Sequence, residues 1–211
     1  MSYEFDERRS PRKQLILFLV GGLIFIACLF VATDLNEYIK IPALELVRYA
    51  GLVGLILQIF AVARLRQFSN KYVGSIVCII LDIILAAGYI TLYIIDKYTS
   101  AVIPQCAMIM EALNIAMIVA ESFIMIFFAL GTNQLARDYY NSMDLLTKLV
   151  VIVFLIVTVG ELLFGILGLA GVTLPDIFIL RALYKIVNIA SVAKHILVLI
   201  FIIVAITRVT D

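Results

Sequence analysis

The sequence predicts an all-α, polytopic integral membrane protein, a bundle of six transmembrane helices without a soluble domain. Three observations carry this. Of 211 residues, 64% are apolar and 15% charged, whereas soluble domains run nearer half and a quarter. The mean hydropathy is +1.15. The apolar residues also gather into six runs, each near the ~20 residues a helix needs to cross ~30 Å of hydrocarbon.

The first span runs from about Gln14 to Ala32, behind Arg8, Arg9, Pro11, Arg12 and Lys13. A basic flank before an apolar run also suits a signal peptide, but this run is too long and lacks a small-x-small cleavage site. Ile26-Ala27-Cys28 has the outline of a lipoprotein box, yet Leu29-Phe30-Val31 carries the apolar run past it. The span is therefore expected to be retained. The second runs from Ala43 to Ala63 after Pro42, and the third from Tyr72 to Ile95. The fourth, Val102 to Leu130, has Pro104 in its first turn; the fifth is Leu149 to Ala170; the sixth, Ile177 to Thr207, follows Pro175. Every proline stands before a span or in its first turn, where a missing amide costs nothing. Lipid cannot satisfy backbone amides and barrel-type alternation is lacking, so each run is read as a helix.

Orientation follows from the basic residues. Arg8, Arg9, Arg12, Lys13, Arg64, Arg66, Lys71, Arg137, Lys148 and Arg208 fall on one side, against Lys40 and Lys97 on the other. The positive-inside rule then makes both termini cytoplasmic, in what is expected to be the plasma membrane. The layout is a cytoplasmic tail over 1–13, one membrane domain over 14–207 and a tail over 208–211, with Gly131 to Lys148 the longest loop.

Several chemistries fail on residue count. His195 is the sole histidine, which excludes bis-histidine haem, multi-histidine zinc and H-E-x-x-H sites. Cys28, Cys78 and Cys106 lack C-x-x-C spacing and read as small apolar residues. Asp82 is the lone aspartate deep in a span, so a two-aspartate intramembrane protease fails, and P-loop, dinucleotide and Ca²⁺-loop motifs are missing. A lipid-modifying enzyme using an acid and His195 would lack a nucleophile or metal. No cofactor or metal is expected, and enzymatic activity is disfavoured. A net charge of +1 gives no case for nucleic acid.

The informative residues are ionisable groups at hydrocarbon depth: Asp82, Glu111, Glu121, Glu161, Lys185, Lys194 and His195, with Glu45, Arg48 and Arg181 nearer the outer interface. Each costs ~2.5–3.5 kcal/mol at a helix centre, so they should face the bundle interior. On the sixth span Arg181, Lys185, Asn188, Ser191 and His195 fall within about 120° of arc, with Lys194 off that stripe. Glu111, Asn114, Glu121 and Ser122 share one face of the fourth. Ser75, Cys78, Asp82, Tyr89 and Tyr93 align on the third; Glu161 aligns with Thr158, Gly165 and Gly168 on the fifth. Depth counted from span centres puts Glu111 and Lys185 outward, Glu121 toward the cytoplasm, and Asp82, Glu161, Lys194 and His195 near the midplane. Expected pairs are Glu111 with Lys185, and Glu161 or Asp82 with Lys194 or His195.

Two readings of these charges stand side by side. They form a site through spans three to six that binds or passes a small polar or ionic solute, with Asp82, Glu111, Asn114, Glu121, Glu161, Lys185, Asn188, Lys194 and His195 as its candidate residues. Alternatively they are neutralised pairs that fix helix register in a scaffold or a subunit of a larger complex. The expected partners are the bilayer, the solute, and a cytoplasmic or membrane subunit.

Glycines at 21, 22, 51 and 54 should let the first two spans approach closely, while those beside Glu161 read as close packing or local unwinding. Arg66, Phe68 and Asn70 recur 71 residues later as Arg137, Tyr139 and Asn141, and Arg208 follows at the same interval. That spacing suits three hairpins, or simply basic and aromatic residues at an interface. In gross plan the chain is similar to the substrate-binding components of energy-coupling-factor vitamin transporters, in architecture and without a shared motif.

Overall fold

The computed structural model describes residues 10–30, 47–98, 105–139, 142–170 and 178–209. These contain six helices and no strand: α1 Pro11–Phe30, α2 Val47–Leu65, α3 Tyr72–Tyr98, α4 Cys106–Tyr139, α5 Asp144–Leu169 and α6 Phe178–Arg208. Five are long and apolar enough to cross a membrane; α2 has a shorter apolar run, Ala50–Leu65. Their outward surfaces are apolar, with Ile84, Ile156, Val159 and Ile189 all more than 60% exposed. Such surface is untenable in water and ordinary in lipid. The described chain has the build of an integral, multi-pass membrane protein.

The helices overrun some expected bounds. Most of the expected 131–148 loop is helical: α4 continues to Tyr139 and α5 starts at Asp144. At 34 residues α4 is about 51 Å long, well beyond the hydrocarbon thickness. Its polar last turns dock neighbouring elements. The Asn133 amide donates to Asp144 Oδ1 at 2.7 Å, and its carbonyl oxygen accepts the Met143 amide at 2.9 Å. Arg137 donates to the same Asp144 oxygen at 2.8 Å. A side chain of α4 thus satisfies orphan groups at the start of α5.

Each helix packs on its sequence neighbour, and α6 closes the bundle against α1 and α4. At the α1–α2 crossing a Cβ on Gly21 would collide with the Gly54 carbonyl, and one on Gly54 with the Gly21 carbonyl. The expected close approach is present. Between α3 and α4, register is set by three polar rungs: Ser69 Oγ donates to Gln134 Oε1 at 2.8 Å, Tyr72 and Thr132 hydroxyls meet at 3.0 Å, and Ser75 Oγ donates to the Ile124 carbonyl at 3.1 Å. Helix α5 runs unbroken past Gly160, Gly165 and Gly168, so the unwinding considered beside Glu161 does not occur. Cβ atoms at Gly160 and Gly165 would meet Val187 and Ile115, whereas Gly168 faces open space.

Burial is uneven along the bundle. The core gathers toward the end holding the 66–71 turn, Met143 and Val209, where Leu15, Val62, Leu65, Leu135 and Ala205 are fully buried. In the opposite half, α6 exposes Ile179, Leu183, Lys185, Ile186 and Ile189. Phe18 of α1 stacks on Phe128 of α4 with ring centroids 3.8 Å apart, and Tyr72 meets Phe128 edge-on at 5.9 Å. Phe18 of this aromatic layer also lines the site described next.

Candidate functional site

The central turns of all six helices converge on a cavity of about 40 Å³, room for two or three waters. Its polar lining is Gln58 from α2, Asp82 from α3, Glu121 from α4 and His195 from α6; α1 and α5 contribute Phe18, Gly22 and Phe154. Helix phase explains the convergence. Tyr72, Ser75, Ile79 and Asp82 recur every three or four residues along the buried face of α3. Gln58 follows Gly54 by one turn, on the face α2 presses against α1.

His195 is held at both ring nitrogens. Nδ1 lies 2.6 Å from the Ser191 carbonyl oxygen, and Nε2 lies 2.7 Å from Glu121 Oε1. A carbonyl only accepts, so Nδ1 carries a hydrogen. A carboxylate also only accepts, so the Nε2 contact needs a second proton, on either the ring or the acid. The Glu121–His195 dyad is therefore neutral as a unit wherever that proton sits.

Glu161 and Lys194 form the second unit. Lys194 Nζ donates to both carboxylate oxygens, at 2.7 and 3.0 Å, and stands 5.7 Å from the centroid of the Phe154 ring. Lys194 is 1% exposed. Two-point contact in a dry setting consumes the charge of both partners. Nearby, the Ser122 and Thr158 hydroxyls bond to one another across α4 and α5.

Asp82 and Gln58 differ from these. They are 4% and 3% exposed, and neither makes a hydrogen bond to a described residue. Buried polar groups in proteins are nearly always satisfied, and both of these side chains lie on the cavity lining.

Of the nine expected site residues, the structure brings together Asp82, Glu121 and His195 at the cavity, with Glu161 and Lys194 paired behind it. The other four stand apart. Glu111 and Asn114 are half-buried on the far turns of α4, and Lys185 and Asn188 are exposed on α6. The expected Glu111–Lys185 pair is not formed among the described residues, and His195 is engaged by Glu121 rather than by Asp82 or Glu161. The stripe Lys185–Asn188–Ser191–His195 does not face inward along its length; Lys194, off that stripe, is the most buried charge. Glu45 and the side chains of Arg48 and Arg181 lie outside the described residues. Gln58 was not expected. Its signal was a lone amide between Leu57 and Ile59, one turn from Gly54 in an otherwise apolar run.

The site as a whole is a mostly apolar cavity at mid-bundle into which four polar side chains project. No family model matches the chain, and no curated protein or solved structure matches it.

Proposed function

We propose that the protein crosses the plasma membrane six times with both termini in the cytoplasm, and binds or passes a small polar or ionic solute at the Asp82–Glu121–His195 cavity. The observation that carries this is the pair of buried polar side chains, Asp82 and Gln58, that face the cavity without a protein partner. A purely structural network would have closed on itself, as Glu161 and Lys194 do. The ten basic residues against two support the orientation. α2 would cross with its apolar run extended by flanking residues.

The test is a thermal-shift screen of the purified protein against small polar and ionic solutes. A solute at a hundred times its Kd stabilises the folded state by about 2.7 kcal/mol. One class of solute should raise the melting temperature of the wild type and leave Glu121→Gln and Gln58→Leu unmoved. A screen with no shift, together with wild-type melting of both variants, would sink the reading.

The Glu161–Lys194 clamp favours a second role for that pair alone, as the register lock of a scaffold. If the whole protein served that role, purification in mild detergent would bring a stoichiometric partner subunit.

A further inference from the structure

We infer that the occupant of the cavity carries a single positive charge, as a proton or a monovalent cation, and that Asp82 receives it with the Gln58 amide alongside. This rests on reading the cavity as a solute site and adds the charge and size of the solute.

The argument is a charge ledger taken helix by helix. Helix α1 lines the cavity with apolar side chains and Gly22, and α2 adds the uncharged Gln58. Helix α3 adds Asp82, with the neutral thiol of Cys78 a turn away. Glu121 of α4 and His195 of α6 share one proton between their facing atoms and sum to zero. Glu161 of α5 and Lys194 of α6 sum to zero through two hydrogen bonds. Glu111 and Lys185 stand away from the lining. One carboxyl group is left, that of Asp82, which when ionised has neither a donor nor a counter-charge among the lining residues.

An uncompensated buried charge is costly, and a proton or a monovalent cation cancels it one for one. An anion would meet the Asp82 carboxyl and no uncompensated cation among the lining residues. A divalent ion would leave the site with an excess positive charge. Size agrees, since about 40 Å³ holds a bare ion with a water or two and excludes a sugar or a vitamin.

Purified protein in lipid vesicles tests this, with protons followed by an entrapped pH dye and with radiolabelled sodium, rubidium, chloride and glycerol as separate probes. The expected result is movement of protons or of one of the two cations, down at least about tenfold in Asp82→Asn and reduced in Gln58→Leu. The exposed Asp138→Asn variant, at the far end of α4, should match the wild type. Loss in the proton arm alone identifies a proton site; loss in a cation arm identifies a cation site. Movement of chloride or glycerol that Asp82→Asn leaves intact would overturn the charge assignment and keep the solute reading. A folded wild type that moves none of the five probes would overturn the charge assignment, and the thermal-shift screen then judges the wider reading separately. Should Asp82→Asn fail to fold, unchanged flux in Gln58→Leu overturns the assignment.

Discussion

Lys194→Met should be the most damaging single substitution at the buried charges, costing about 3–5 kcal/mol of stability. The reason lies in what it leaves behind. Lys194 is 1% exposed and donates two hydrogen bonds to Glu161. Without it, the Glu161 carboxylate loses both of these hydrogen bonds at once. The double variant Glu161→Gln/Lys194→Met should recover most of the loss, because replacing both members of a buried pair is close to neutral. Thermal unfolding of the four proteins of this cycle in one detergent measures the coupling directly. A Lys194→Met protein within about 1 kcal/mol of wild type would mean that Glu161 finds water or takes a proton, and that the pair is not a lock.

Gly54→Ala should cost about 3 kcal/mol, at the upper end for overpacking. The atom its Cβ would strike is the Gly21 carbonyl oxygen, which is backbone and cannot turn aside as a side chain can. Helices α1 and α2 would have to part. Gln58, one turn along α2, would move with them, so the cavity lining should loosen as well. Gly168→Ala is the matched control: nothing lies within 4 Å of its Cβ, and replacing a glycine in the last turn of a helix should gain at most about 1 kcal/mol. Melting temperatures of the two variants should therefore move in opposite directions. Equal shifts would show that the α1–α2 crossing does not depend on glycine contact.

Both predictions use residues whose type was legible in the sequence and whose partner was not. Gly21 and Gly54 announce close approach by composition alone, and the structure supplies the carbonyl each one meets. Lys194 and Glu161 were expected at one depth and do pair. By sequence Glu121 sits nearer the cytoplasm, because the fourth apolar run stops at Leu130. Once α4 continues to Tyr139, Glu121 falls at its middle, level with His195. The extension was hidden because Thr132, Asn133 and Gln134 read as a loop by polarity. In the folded chain they meet Tyr72, Asp144 and Ser69, which makes polar helical turns stable there.

The sequence by itself determined the solvent of this protein and the shape of its elements. Apolar runs of crossing length admit only helices in lipid, and charges within them are drawn inward, as Asp82 and Lys194 are and the exposed Lys185 is not. Hydropathy and helical phase act locally, so they are written along the chain. Which acid meets which base was decided only in the tertiary structure. Pairing depends on the axial stagger of helices far apart in sequence, and a shift of one turn, about 5.4 Å, exchanges every partner. The same stagger left Asp82 and Gln58 facing a cavity while Glu161 closed on Lys194, and so separated two polar groups without a described partner from a pair already satisfied.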